Sequence, residues 1–146
     1  MPVFARELIY EFLEEVTPLT EQHLAESSKR KATLAPMWSR YAAFESTGNF
    51  LAFTVRDNGS LVGYAGFFVG QHLHHADTVA AINDVLYIKP EHRNGFTVRR
   101  FIRFIEAELK PLAQTISFHV TLQKDFRPLL HRLGYADEEI VVSKSL

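Results

Sequence analysis

Asp84-Val-Leu-Tyr-Ile-Lys-Pro-Glu-His-Arg-Asn-Gly-Phe-Thr-Val-Arg-Arg-Phe-Ile-Arg-Phe-Ile-Glu106 is the stretch on which the fold turns. An apolar run ends at Pro90, a short polar turn carries Arg93 and Gly95, and a helical period then begins. Val98, Ile102, Ile105 and Leu109 recur at helical spacing, Phe101 widens the stripe, and Pro111 stops it. A buried strand feeding a helix through a polar turn is the geometry of an anion site. The N–H groups of the first helical turn point at the ligand, and the helix dipole favours negative charge there. Gly95 permits close backbone approach, and Arg93 and Arg99 are placed to give charge-assisted bonds.

Outward from this stretch, the middle of the chain reads as β. Phe50–Arg56 and Leu61–Val69 flank Asp57-Asn58-Gly59, a strong hairpin signal. The second of these strands is apolar on both faces, as a central strand is. A polar loop over Gly70–Asp77 holds His72, His74 and His75, and a third strand runs over Thr78–Ile88. Upstream, the period of residues 6–13 suits either helix or strand, and strand is preferred. Thr17-Pro18-Leu19 reads as the start of a helix over 18–30, and a second helix runs over 36–46 up to Gly48. Downstream come a strand over 115–122, a short helix over 126–133 closed by Gly134, and a last strand over 139–144. The order is β-α-α-β-β-β-α-β-α-β: an α/β fold (α+β mixed sheet), with antiparallel hairpins in the middle and crossover logic near the end.

The length of 146 residues fits one domain, residues 1–146, and no repeat or linker divides it. Hydrophobic residues make up 47%, enough for a real core, so disorder is not expected. Sixteen basic and seventeen acidic residues leave a net charge of −1, which excludes a generally basic nucleic-acid binder. Local basic clusters remain, at Lys29–Lys31 and at Arg93, Arg99, Arg100 and Arg103. The six glutamates among residues 1–28 argue against a nucleic-acid role for them. With no cysteine, there is no disulfide, thiolate metal site or cysteine nucleophile. No apolar run approaches the roughly 18 residues of a membrane span. The N-terminus lacks a secretory pattern, and a cytoplasmic protein is expected.

Leu86-Tyr87-Ile88-Lys89-Pro90-Glu91-His92-Arg93, the turn after it, and Phe101, Ile102 and Glu106 on the helix resemble the GCN5-related N-acetyltransferase (GNAT) family. Leu129-Leu130-His131-Arg132-Leu133-Gly134-Tyr135 is similar to that family's helix ending in Leu-Gly-Phe. The likeness covers nearly the whole chain, and small acetyltransferase-like proteins of bacteriophages resemble it most. It implies an acetyl-CoA-dependent N-acetyltransferase domain acting on a small-molecule or peptide amine. It implies a cofactor site from backbone groups at Leu86, Tyr87 and Ile88 and from the turn Arg93, Asn94, Gly95, Phe96, Thr97, Val98 and Arg99. The family turn has small residues where this chain has Phe96 and Val98, and the family's general-acid tyrosine is replaced by Leu130.

Within that resemblance Asp84 is the first choice of base, because it lies in an apolar stretch where burial raises a carboxyl pKa. The alternative is that it pairs with a base such as Arg40 or caps a bulge. His74, or His75, is the second choice. His72, His74 and His75 lack a neighbouring carboxylate cluster, so no metal is assigned. Tyr87 and Tyr135 have the chemistry of acids but suit the core, as His119 suits a core or pocket position. Trp38, Tyr41, Tyr64 and Phe68 fit either an acceptor pocket or the core. A binding protein that keeps the fold and has lost the cofactor groove is the competing reading, favoured by Phe96, Val98 and Leu130. By fold analogy a homodimer through the C-terminal hairpin is expected.

Overall fold

The computed structural model describes residues 1–27 and 34–146; Lys29–Lys31 lie outside them. The strands are β1 (Val3–Glu7), β2 (Phe50–Asp57), β3 (Ser60–His72), β4 (His75–Ile88) and β5 (Thr115–Ser117). They form one sheet in chain order, antiparallel throughout except for the parallel β4–β5 pair. The helices are α1 (Ile9–Ser27), α2 (Trp38–Ser46), α3 (Gly95–Leu109) and α4 (Arg127–Arg132).

Alternation along β2 sorts the core into two layers. Leu51, Phe53 and Val55 join Phe67, Phe101 and Ile105 on the α3 side. Phe50 and Ala52 join Ile9, Phe12, Val16 and Leu19 on the α1 side. The β2–β3 turn is as expected: Asn58 and Gly59 both take positive φ, 50° and 83°, the primed turn that matches strand twist. Arg56 on β2 reaches Glu7 on β1 and Glu15 on α1, tying the first strand and helix to the sheet.

Several expectations are corrected. The first strand is Val3–Glu7 rather than residues 6–13, because α1 already begins at Ile9. Two carboxylates fix that start. Glu11 accepts from the Leu8 N–H at 2.6 Å, and Glu45 of α2 accepts from the Ile9 N–H at 3.1 Å. Ile9, Phe12, Val16 and Leu19 then hold one buried stripe, while Leu8 and Tyr10 are exposed. Pro18 lies inside α1 rather than at its start. It sits on the exposed face of the helix.

The histidine segment is not a loop. β3 and β4 stay paired out to His72 and His75, with only Leu73 and His74 at the turn. The strand expected over 115–122 shrinks to Thr115–Ser117, and residues 139–144 form no strand. Phe118 and Val120 instead pack into the α4 cluster with Ile102, Leu130 and Leu133. The ladder edge thus stops at Ser117, and Ile140, Val141 and Val142 remain exposed despite their strand propensity. Among the described residues, no helix is long and apolar enough to cross a membrane.

Candidate functional site

Along the β3–β4 ladder Gly66 faces Val85 and Phe67 faces Asn83, so Asp84 is the extra residue of a bulge. The buried Asn83 amide donates to the carbonyls of Gly66 (3.3 Å) and Val85 (2.8 Å), bridging the interrupted ladder. Glycine is needed opposite: a Cβ on Gly66 would stand 2.6 Å from Phe50 Cζ. The bulge turns Asp84 out of the strand. It is exposed, so the burial expected from its apolar neighbours is absent. Its partner is Tyr41, whose hydroxyl donates to Oδ2 at 2.7 Å, rather than Arg40.

Asp84 lies on the wall of a cavity of about 230 Å³ between α1, α2 and the sheet. Trp38, Tyr41, Phe50 and Tyr64 supply its aromatic lining, with His23 of α1 beside them. Burial, reinforced by the Asp84 carboxylate, pushes the Tyr41 hydroxyl well above its ordinary pKa, so it stays a proton donor. Burial does the same for Tyr64. His23 Nδ1 lies 3.2 Å from the Tyr64 hydroxyl, and its ring stacks on Tyr87 at 5.1 Å. Burial pulls the His23 pKa below its ordinary 6.5, which favours neutral imidazole. Sequence reasoning passed over His23. The signal was its place as the next step of the Phe12–Val16–Leu19 stripe.

Beside the bulge, β4 has an open edge. β5 pairs only with Ala80–Ile82, so among the described residues no strand lies on that edge of β4 beyond Ile82. The Lys89 N–H donates to the Val62 carbonyl at 2.8 Å, with Gly63 opposite Ile88. That bond marks Gly63–Ile88 as a pair whose own N–H and C=O groups point away from each other's strand. Ile88 and, two residues back, Leu86 therefore turn backbone groups toward the gap. The side chain of Tyr87, the residue between them, is buried, and its hydroxyl donates to Gln22 at 3.3 Å.

The turn from β4 into α3 closes this end. The Arg93 side chain donates to the Ile88 carbonyl from Nε (3.0 Å) and Nη2 (2.7 Å), and Nη2 also reaches Glu26 of α1 at 2.9 Å. Lys124 meets the same Glu26 carboxylate at 3.1 Å. The Arg93 fork is thus engaged within the protein. Asn94 caps α3, accepting from the Thr97 N–H at 2.8 Å, which leaves the Gly95 and Phe96 N–H groups for an anion. A Cβ on Gly95 would meet nothing within 4 Å, so the space above the helix start is open. The Phe96 ring is 67% exposed and lies under Arg100, which also covers Phe4. It is thus on the β1 side of α3. Val98 is half-buried against Ile102 and the α4 cluster. Arg99 is exposed. An acyl-CoA fits these features: outward backbone groups on β4 for its thioester arm, and the start of α3 for its pyrophosphate.

The other candidates lie apart. His74 is at the β3–β4 tip, with its N–H on His72 Nδ1. At roughly 3.3 Å per residue, nine residues of β4 put the tip about 30 Å from Asp84, so the two are not brought together. His119 is exposed rather than in a core or pocket. The Tyr135 hydroxyl is occupied with Glu106 at 2.9 Å, and Leu130 of α4 is buried against Ile102 and Leu133. Among the described residues no cluster could hold a metal ion. Arg103 of the basic ridge is paired with Glu106 at 2.7 Å.

No family model and no curated protein matches the chain. Solved structures do. A GCN5-related N-acetyltransferase from Ralstonia eutropha JMP134 superposes with a TM-score of 0.77 at 19% identity over 99% of both chains. A ribosomal-protein-alanine N-acetyltransferase from Brucella melitensis biovar Abortus 2308 gives 0.76 at 16% identity, also over 99% of both. A predicted acetyltransferase with acetyl-CoA from Clostridium acetobutylicum gives 0.73 at 13%, over 99% of this chain and 96% of that one. At such identities the likeness is one of fold: the chain has the fold of GCN5-related acetyltransferases. These three sources are bacteria, and they lend no support to the bacteriophage likeness.

Proposed function

We propose that this protein transfers the acetyl group of acetyl-CoA directly to a primary amine. The observation that carries the reading is the bulge: it sets the Asp84 carboxylate in the cavity wall within about 7 Å, along the strand, of the outward backbone of Leu86. Acetyl-CoA supplies an activated acyl group, so that an alkylammonium and the thioester give the amide, the free thiol of CoA and one proton.

The chain's own residues divide the remaining work. Backbone groups of Leu86 and the N–H of Ile88 hold the thioester arm, and a backbone N–H there polarises its carbonyl. The N–H groups of Gly95 and Phe96 take the pyrophosphate, with Arg99 near enough on α3 to add charge. Asp84 takes the proton from the ammonium, since only the neutral amine attacks. The Tyr41 hydroxyl donates to Asp84 and fixes the direction in which the carboxylate accepts. No tyrosine occupies the family's acid position, so solvent protonates the departing thiolate.

Calorimetric titration with acetyl-CoA, with CoA as comparison, tests the reading. Micromolar binding supports it. Absence of heat at millimolar ligand selects the second reading, a binding protein on this fold. The engagement of Arg93 with Ile88 and Glu26 is the observation in that reading's favour.

A further inference from the structure

The chemistry of the α1-side cavity restricts what can enter it. Among the described lining residues Asp84 is the only carboxylate, and none is lysine or arginine. A cation therefore finds a partner among them, while a phosphate or carboxylate on the ligand finds none among these described residues. The remaining polar side chains are few: Tyr41 pairs with Asp84, Tyr64 with His23 and Thr20 with the Thr17 carbonyl, and the Trp38 indole N–H completes them. Most hydroxyls of a sugar-like ligand would lose their water without gaining a bond. The rest of the wall is aromatic and aliphatic, from Trp38 and Phe50 to Ile9 and Val16. Rings of this kind attract an ammonium over their faces and pack a flat apolar body. The volume, about 230 Å³, falls below the ~300–1,000 Å³ of sites for drug-sized ligands, so the occupant is small.

We infer that this cavity takes a small primary amine on an apolar body, an aralkyl monoamine, with its ammonium on Asp84 and its ring among Trp38, Tyr41, Phe50 and Tyr64. That this ligand is the acetyl acceptor rests on the acyl-transfer reading; that the cavity prefers such a ligand does not. The same Asp84 that selects the cation would then remove its proton. Sugar amines, phosphorylated amines and long peptides are disfavoured by the same wall.

Trp38 is the chain's single tryptophan and lines the cavity, so its emission reports occupancy without any cofactor. The probes are 2-phenylethylamine, 2-phenylethanol and glucosamine, titrated against the wild-type protein and Asp84→Asn. Saturable change with 2-phenylethylamine is expected, with the other two at least about tenfold weaker and the preference for amine over alcohol lost in Asp84→Asn. Asp84 is exposed, so that variant folds. Glucosamine binding as tightly as 2-phenylethylamine, alcohol binding equal to amine in the wild type, or no saturable change would overturn the inference. Acetyl-CoA is then added and thiol release followed. Bound 2-phenylethylamine without thiol release overturns acyl transfer and leaves the ligand class standing. Thiol release with glucosamine but not with 2-phenylethylamine does the reverse.

Discussion

Phe50, Tyr64 and Trp38 line the cavity and at the same time pack the α1-side core, whereas Gly95 stands in open space at the start of α3 and Phe96 is largely exposed. The first region is shaped by residues that the fold needs for its own stability. The second is shaped by residues whose side chains the fold hardly uses. Changes in the cavity therefore move stability and recognition together, and changes at the start of α3 separate them. Asp84 belongs spatially to the first region, but its exposed carboxylate makes it as separable as the second.

The largest effect is expected at Asp84. Replacement by asparagine keeps the shape and the Tyr41 contact but removes the proton acceptor. Turnover should fall by about 10²–10⁴-fold, the usual contribution of a positioned acid or base, with acetyl-CoA affinity and melting temperature unchanged. Steady-state kinetics beside calorimetry reads both. Retained turnover would pass the base role to His23, the histidine of the cavity wall.

Gly95→Ala sharpens the contrast from the other side. A Cβ there meets no packed neighbour within 4 Å and Gly95 has no positive φ, so alanine gains roughly 0.4–1 kcal/mol by restricting the unfolded chain. The melting temperature should hold or rise. Acetyl-CoA affinity should fall by about tenfold, or 1.4 kcal/mol, because the methyl group occupies the space an approaching pyrophosphate would use. Unchanged affinity would move the anion away from this helix start.

Arg93 joins the two regions, and its removal should register in both. Arg93→Ala deletes the bonds to the Ile88 carbonyl and the pair with Glu26. With Arg93 and Glu26 partly exposed, the loss of stability should be about 1 kcal/mol. Acetyl-CoA affinity should weaken several-fold as Ile88 and the turn lose their support. A drop in stability with unchanged affinity would make Arg93 a structural strap and nothing more.

What the sequence made legible follows the range of the forces involved. The Asn58-Gly59 hairpin, the central run Leu61–Val69 and the α3 stripe are local patterns, and each is found where its pattern lies. Asp84 was legible as a polar residue in an apolar strand. Its exposure was not, because a bulge is a mismatch between two strands and appears only when they are paired. The start of α1 was hidden for a similar reason: Glu45, which holds the Ile9 N–H, comes from 36 residues downstream. The final strand failed in the opposite sense. Ile140-Val141-Val142 has the propensity, but the short β5 gives it no ladder to join.

The smallest effect is expected at His23, and its sign follows from burial. Burial lowers the His23 pKa in the folded protein below the 6.5 it has when unfolded. Between those two values the unfolded chain binds a proton that the folded one does not, so stability rises with pH there. The contribution is fully present above about pH 6.5 and is lost as pH falls toward the folded value. Melting temperatures measured from neutral pH down to about pH 5 should therefore decline, and His23→Gln, which keeps a polar group beside Tyr64 but cannot titrate, should flatten part of that slope. If it also leaves 2-phenylethylamine binding intact, His23 serves the wall of the cavity rather than its chemistry. If the slope persists unchanged, the acid sensitivity lies in carboxylates such as Glu15 and Glu26, whose arginine and lysine partners hold them below their ordinary range against the opposing effect of burial.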